Sequence, residues 1–388
     1  MKIMKKELII NILNILENRD DKMNNNMLQN RAWVEINLNN LKNNIDLINS
    51  RITNPTKIMA VVKANAYGHG LVFIAKYLNK INITNFAVAT LDEGIKLREN
   101  NIKGNILILG YTSLGNIELV KKYDLIQTIV DKEYYNNLVK LNIKIKTHIK
   151  VNTGMNRVGI SYNDISFIKK IYQDHKLEVL GIYSHFCCAD TKKRSDVIFT
   201  ETQIKRFNEV INKLEQEGIN VGKKHLESSY GLLNYHKLPY DYIRCGIIMY
   251  GVVSDKKFKP ILSLKAKIIS IKEITKGEIV GYGRTFKATK KTKIATVSIG
   301  YGDGYPRCFS NNKTRVKVNN KYAYIIGNIC MDELMIDVTG INVKVGDVVT
   351  FIGDDKYLNS EYLAKKANTI PYELLCNLNN RLGYIYQE

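Results

Sequence analysis

The sequence predicts an α/β protein: a (β/α)8 TIM-type barrel followed by a mainly antiparallel β domain. Three observations predict it. Eight short apolar, β-rich runs alternate with helix-period segments from about residue 58 to residue 250. After Gly251 the texture changes to strict apolar/polar alternation broken by Gly or Asn-Asn turns. The 388 residues are enough for one large domain plus a smaller one.

The eight runs are IMAVVKA (from Ile58), FAVAT (from Phe86), ILILG (from Ile106), LIQTIV (from Leu125), THIKVN (from Thr147), VLGIYSH (from Val179), HLESS (from His225) and YIRCGIIMYG (from Tyr242). Between them lie helical segments such as LDEGIKLREN (from Leu91) and ETQIKRFNEVINKLEQEG (from Glu201), and the count and lengths match a barrel of eight βα units. LSLKAKIISIKEI, KIATVSIG, TRVKVNNKYAYIIG and VGDVVTFIG supply the strands of the second domain. WVEINL, from Trp33, precedes the first barrel run and could reach across to join that second domain. The expected boundaries are an N-terminal extension at 1–30, read as a short amphipathic helix and a polar Asn/Met linker, a barrel at 31–252 and a β domain at 253–388. No internal repeat is visible.

Composition excludes several classes. Lysine and arginine outnumber aspartate and glutamate by 58 to 37, a net charge of +21, but the basic residues are spread along the whole chain without an arginine-rich block. That distribution predicts solvated lysines rather than a nucleic-acid surface. Six cysteines without CxxC spacing predict neither a zinc site nor a disulfide framework, and a reducing cytoplasm fits them. KKELIINILNIL begins like a signal peptide, yet asparagine interrupts its apolar run and no small-residue cleavage site follows. No stretch approaches the ~20 apolar residues that span a bilayer, so no membrane partner is expected.

Chemistry concentrates at the end of the first run, Val61-Val62-Lys63-Ala64-Asn65-Ala66-Tyr67-Gly68-His69-Gly70. A lysine at the carboxyl end of a barrel strand stands at the mouth where barrel sites form, and desolvation there lowers its pKa until the amine can attack a carbonyl. KANAYGHG is followed, in order, by VNTGMNRVGI (from Val151), GIYSHF (from Gly181), IRCGIIMYG (from Ile243), VGYGRTF (from Val280), IGYGDGYPR (from Ile299), GNICMDE (from Gly327) and IPYELLCNLNNR (from Ile370). Together these motifs resemble the alanine racemase family, including the serine racemases associated with vancomycin resistance, over about residues 31–388.

The resemblance implies a homodimeric enzyme that uses pyridoxal 5'-phosphate (PLP) to interconvert L- and D-amino acids for cell-wall peptidoglycan precursors. It implies that Lys63 carries the cofactor and acts as one base, and that Tyr282 of the GYG turn acts as the other from the partner subunit. Racemisation needs such a pair because the α-proton leaves one face and returns on the opposite one. A free phenol ionises near pH 10, and the resemblance connects His185 and Arg244 to Tyr282 as the source of positive charge. It places Arg244 against the pyridine nitrogen, where a group that does not release its proton makes the ring a weaker electron sink. Tyr67, Ser229, Gly246 and Ile247 take the phosphate positions. Arg157 and the main chain at Met331 take the substrate carboxylate, Asp332 is a further substrate-binding residue, and Tyr301 lies in the entrance. Lys150 matches a lysine that is often carbamylated, and no metal site is implied. His69 reads as a structural hydrogen bonder within its turn.

The sequence departs from the pattern at one position. Typical alanine racemases carry a tyrosine just before the arginine of LCNLNNR, whereas this chain has Asn380. A short amide there opens polar space near the substrate side chain, as in the serine racemases, and predicts serine turnover beside alanine. A PLP-dependent decarboxylase of the same architecture and a non-catalytic PLP-binding protein are the competing readings. The decarboxylase would benefit from an acidic partner at the ring nitrogen, and the carrier would lack a second domain.

Overall fold

The computed structural model describes residues 31–53, 55–235 and 238–388, so the helix and linker expected at 1–30 lie outside the described residues. The described residues form two compact units: Lys42–Phe258, and Lys259–Glu388 with residues 31–41.

The first described strand, β1 (Ala32–Asn37), belongs to the unit that contains the C-terminus. The other unit is built on eight parallel strands, β2 (Lys57–Val61), β3 (Asn85–Val88), β4 (Asn105–Ile108), β5 (Ile126–Ile129), β6 (Lys146–Asn152), β7 (Glu178–Tyr183), β8 (Lys223–His225) and β9 (Tyr242–Cys245). Seven of them fall on predicted runs; β8 lies just before HLESS and shares only His225 with it. Neighbours in sequence pair in space from β2 to β8, β9 pairs with β2, and a bridge between Ser228 and Arg244 joins the two ends of the sheet into a ring. Consecutive parallel strands with a helix in each crossover give that closure. Strands β3 and β5 are buried along their whole length, as expected of strands covered on both faces.

The helix Leu91–Glu99 shows how local sequence fixes an element. Thr90 Oγ1 accepts the N–H of Glu93 at 3.3 Å and the Glu93 carboxylate accepts the N–H of Thr90, a reciprocal capping box, while Leu91, Gly94 and Leu97 are buried.

In the second unit the 13-residue strand β10 (Leu262–Ile274) is the organising element. β11 (Thr292–Val297), β12 (Arg315–Val318), β13 (Lys321–Ile326), β14 (Leu334–Asp337) and β15 (Val348–Ile352) follow, and β16 (Gly383–Gln387) ends the chain. β10 pairs antiparallel with β15 through Leu264–Lys267 and with β11 through Ile268–Ile274, the latter pairing carrying a register shift between Ile268 and Ser270. The pairings β11-β14-β13-β12-β15 then return to β10. Alternation is explicit at its start, where Leu262, Leu264, Ala266 and Ile268 point inward between partly exposed neighbours. Each fully buried leucine or isoleucine there contributes about 1.5–3 kcal/mol. The β12–β13 hairpin turns on Asn319 and Asn320, both with positive φ (47° and 61°), the conformation of a tight two-residue turn. β1 lies between β10, antiparallel, and β16, parallel, so WVEINL joins the C-terminal sheet.

Candidate active site

Lys63 follows the last residue of β2 by two positions, and the turn it opens is unusual. Ala64, Asn65, Ala66 and Tyr67 all have φ between 52° and 55° and ψ between 39° and 55°, one turn of left-handed helix made without glycine. Left-handed backbone costs an L-residue roughly 1–2 kcal/mol, so neighbouring groups must hold the turn. Glu93 Oε1 accepts the N–H of Ala64 at 2.6 Å, Asn65 Oδ1 accepts that of Leu71 at 2.9 Å, and the Gly70 N–H donates to the Asn65 carbonyl. His69, fully buried, lies 2.8 Å and 2.9 Å from the carbonyls of Ala66 and Tyr67 through Nδ1, which therefore carries the proton. His69 is the structural hydrogen bonder that the motif suggested. Its ring stacks on Tyr250, whose hydroxyl donates to the Val61 carbonyl at 3.1 Å. Backbone strain of this kind collects where a side chain must be aimed, and the turn aims both Lys63 and Tyr67.

Tyr67, Ser229 and Gly246 meet across three strand ends. Ser229 Oγ, four residues beyond β8, accepts the N–H groups of Gly246 and Ile248 at 3.2 Å and 3.4 Å. A Cβ on Gly246 would stand 2.6 Å from Tyr67 Oη and 3.0 Å from its Cζ, so only glycine leaves the phenol where it is. Two hydroxyls and successive main-chain N–H groups around a side-chain-free backbone form a cradle that suits a phosphate group. Ile247, between these N–H groups, is buried.

Beneath the cradle the barrel interior is polar. Alternate residues of neighbouring strands face one another: Thr128 of β5, His148 and Lys150 of β6, Gly181 and Tyr183 of β7, His225 of β8 and Arg244 of β9. Arg244, 4% exposed, donates from Nη1 to His225 Nδ1 (2.8 Å) and to the His225 carbonyl (3.1 Å). From Nη2 it donates to the carbonyls of Ser184 (2.7 Å) and Leu226 (3.0 Å) and to His185 Nδ1 (3.0 Å). Every one of these acceptors is neutral, and burial lowers the guanidinium pKa to about 10, still far above neutrality. The Tyr183 ring stacks on His225 with centroids 4.7 Å apart and an interplanar angle of 3°, and its hydroxyl meets Thr128 Oγ1 at 3.0 Å.

The electrostatics follow from burial beside fixed positive charge. Lys150 Nζ sits 4.4 Å from the centre of the Tyr183 ring, and burial, then the charges of Arg244 and Arg157, hold its pKa well below the ordinary lysine range. Burial, then Arg244, Lys150, Arg157 and Lys63, likewise hold the His185 pKa well below the ordinary imidazole range, so four of the expected site residues act electrostatically on a fifth. Arg157 itself is exposed on the loop that follows β6. Sequence reasoning overlooked His148, His225 and Glu227. Glu227 is 3% exposed, its Oε1 has no hydrogen-bond partner among the described residues, and burial raises its pKa to about 8 despite the opposing pull of Arg244. The one-letter runs THIK and HLES contained all three, but a histidine or glutamate inside a strand carries no mark of a polar barrel interior.

The remaining expected residues gather within the other unit. The N–H of Tyr301 donates to the Cys330 carbonyl at 3.0 Å and that of Gly302 to the Met331 carbonyl at 2.8 Å, so the GYGDGY turn and the ICMD loop are clasped main chain to main chain. A Cβ on Gly300 would stand 2.3 Å from the Cys330 carbonyl oxygen, which explains the glycine. Asp332 accepts from Arg381 Nη2 at 2.6 Å, and Asn379 Nδ2 donates to the Gly302 carbonyl at 2.8 Å, bringing the segment of Asn380 to the same loops. Asp303, whose side chain is fully buried, anchors the group through a two-pronged pair with Arg31 and the N–H of Gly300. Tyr301, Met331 and Asn380 remain exposed. Tyr282 occupies a turn between Gly281 and Gly283, both at φ 72°; its carbonyl accepts from Asn328 Nδ2 at 2.9 Å, and its side chain is 73% exposed. Among the described residues no group of three or more His, Cys, Asp or Glu is placed to hold a metal ion, and no helix is long and apolar enough to cross a membrane.

A parallel eight-stranded barrel whose strand ends collect an amine, a phosphate-sized cradle and a buried guanidinium is the architecture of the barrel enzymes, which build their sites at this end. Comparison with known proteins narrows the class. The family model for the alanine racemase N-terminal domain matches residues 36–254 and that for the alanine racemase C-terminal domain matches residues 261–386. The chain belongs to the alanine racemase family. It is 41% identical over 362 residues to an amino-acid racemase of Enterococcus faecalis and 38% identical over 362 residues to a serine/alanine racemase of Enterococcus gallinarum. Each match takes in 91% of this chain but 51% of the relative, so the chain spans about half the length of these two proteins. Among solved structures, the alanine racemase of Clostridium difficile 630 superposes with a TM-score of 0.86 at 33% identity, covering 92% of this chain and 96% of that one.

Proposed function

We propose that the chain is a PLP-dependent racemase that interconverts the L and D forms of alanine and, through Asn380, of serine. The observation that supports the reading is the ring of strand ends that carries Lys63, the Tyr67–Ser229–Gly246 cradle and Arg244. When bound, PLP supplies an electron sink that acidifies the substrate α-hydrogen.

The chain's own residues divide the remaining work. Tyr67, Ser229 and the main chain at Gly246 and Ile247 hold the phosphate. Lys63 Nζ anchors the cofactor carbonyl and exchanges the α-hydrogen on one face; Tyr282 Oη, contributed by a second copy of the chain in a homodimer, exchanges it on the other. The high exposure of Tyr282 in one chain supports that division. Arg244, held by neutral acceptors, keeps its proton and limits how much negative charge the ring nitrogen draws, which favours return of the hydrogen over loss of the carboxylate. His185 accepts from Arg244 through Nδ1 and so offers Nε2–H toward the phenolate. Arg157 and the main chain at Met331 take the substrate carboxylate, Asp332 is a further substrate-binding residue, and Tyr301 borders the entrance. Lys150, whose pKa burial and the charges of Arg244 and Arg157 hold well below the ordinary lysine range, is suited to add carbon dioxide with loss of a proton; the resulting carbamate would pair with Arg157.

The same reading places the chain in a reducing cytoplasm, where its six cysteines, all free, stay thiols, and assigns the D-amino acid to peptidoglycan precursors. Borohydride reduction of the PLP-loaded protein followed by peptide mapping tests it: the pyridoxyl label belongs on Lys63, and a label on any other lysine contradicts the assignment.

A further inference from the structure

Three imidazoles and one guanidinium form a continuous chain through the barrel interior, and the proton positions along it follow from the donors. Arginine offers only N–H donors, so His225 Nδ1, 2.8 Å from Arg244 Nη1, accepts and is unprotonated. The proton of a neutral His225 is then on Nε2. That nitrogen lies 2.8 Å from His148 Nδ1, which must accept in turn, leaving the His148 proton on its own Nε2. At the other end of the guanidinium, His185 Nδ1 accepts at 3.0 Å. All three rings are therefore Nε2–H tautomers. Burial removes the alternative of charging them: the pKa of His148 is lowered to about 3, first by burial and then by Arg244, and that of His225 is lowered for the same two leading reasons.

The site of His148 is built to receive the ring. His148 pairs in register with Gly181 of β7, and a Cβ on Gly181 would stand 2.9 Å from His148 Cε1 and 3.1 Å from Nε2. The Lys223 carbonyl oxygen, 2.4 Å from that Cβ, is closer still, so the glycine of GIYSHF leaves room for both the neighbouring main chain and an imidazole one strand away. His148 is 2% exposed, and His225, clamped between it and Arg244, is stacked on Tyr183.

We propose that His148 is a positioning residue for Arg244: by accepting from His225 Nε2–H it fixes the second imidazole in the one tautomer that presents a lone pair to the guanidinium. Without that acceptor the His225 ring is free to protonate at Nδ1, and an Nδ1–H facing an arginine N–H pushes the guanidinium away from the position its other acceptors define. The tautomers rest on ring geometry alone; their consequence for turnover rests on the racemase reading.

The two are separated by experiment. In uniformly 15N-histidine-labelled full-length protein loaded with PLP, ring-nitrogen spectra assigned by single substitution should show His148 and His225 unprotonated at Nδ1 and protonated at Nε2. His148→Phe should shift the His225 ring signals and lower kcat for alanine about 10-fold with little change in KM. His148→Asn, whose amide oxygen replaces the Nδ1 acceptor, should restore the His225 signals and most of kcat. A proton on Nδ1 of either ring in the wild-type protein, or a His225 spectrum and kcat that His148→Phe leaves untouched, overturns the proposal. Because the wild-type spectrum needs no turnover, an absence of racemisation would count against the functional reading alone.

Discussion

Glu93 Oε1 accepts the main-chain N–H of Ala64 at 2.6 Å, and through that bond the first turn of one helix holds the left-handed turn that begins beside Lys63. The same carboxylate accepts from Ala89 and from its own cap residue, Thr90, so one side chain serves both a helix terminus and a strained segment 29 residues away. A glutamate three residues after a threonine reads as an ordinary capping box; its second duty is visible only in three dimensions.

Glu93→Ala is expected to destabilise the protein by about 1–2 kcal/mol, the usual cost of a lost cap together with stranded N–H donors. It should also lower kcat at saturating PLP, because the turn that aims Lys63 loses its outer tether. Urea denaturation and steady-state assays on the same preparation check the pair. A stability loss with kcat unchanged would confine Glu93 to its capping duty.

Gly246→Ala places a methyl group 2.6 Å from Tyr67 Oη. Removing the cradle's shape while keeping its hydroxyls should weaken PLP binding about 10-fold, equivalent to ~1.4 kcal/mol. Equilibrium titration of the apoprotein, followed by cofactor absorbance, measures it. Gly115→Ala, whose added methyl meets nothing within 4 Å, serves as the control and should bind PLP as the parent does.

Glu227 gives a stability-versus-pH signature. Its carboxyl pKa is raised from 4.5 to about 8, chiefly by burial. A raised native pKa means that the native state holds a proton the unfolded chain releases, so the contribution is fully present below about pH 4.5 and is lost as the pH rises through about 8. Glu227→Gln cannot ionise, and its stability relative to the parent should therefore grow between pH 5 and pH 8, by roughly 3 kcal/mol. His148 acts with the opposite sign: with its pKa lowered from 6.5 to about 3, its contribution is present above pH 6.5 and is lost as the pH falls toward 3. Denaturation midpoints across the range separate the two. A difference between Glu227→Gln and the parent that does not vary with pH would refute the buried-acid account.

Asn380→Tyr should reduce the ratio of serine to alanine turnover by about 10-fold, since a phenol fills the polar space that admits the hydroxymethyl group; a pocket that merely tolerates a hydroxyl discriminates by roughly 100-fold at most. Paired kcat/KM values for L-serine and L-alanine provide the ratio. Serine turnover that survives the substitution intact would remove Asn380 from substrate selection.

Much of the architecture was legible in the chain because its signals are local. Eight β-rich runs between helical segments gave eight barrel strands, and Asn319-Asn320 marked a hairpin. Lys63 stood at the end of the first β-rich run, and the family resemblance pointed to Tyr67, Ser229 and Gly246. The polar interior was illegible for a physical reason. His148, Gly181, Tyr183 and His225 come from three strands, and each is unremarkable until barrel closure turns alternate positions of neighbouring strands toward one axis. The left-handed turn was hidden in the same way. Ala64, Ala66 and Tyr67 have no intrinsic preference for positive φ, so the conformation is held by Glu93 from 29 residues away together with Asn65 and His69 of the turn itself.

The account stands on two proton-exchanging groups, Lys63 and Tyr282, serving opposite faces of one substrate carbon. The most direct test is to incubate the PLP-loaded protein with L-alanine in deuterated water and to follow chirality and α-deuterium together. The account predicts convergence on equal amounts of L- and D-alanine with deuterium at the α-carbon of the D form, and near-complete loss of that convergence in Tyr282→Phe. L-alanine that stays entirely L, or a Tyr282→Phe protein that racemises as fast as its parent, would contradict it.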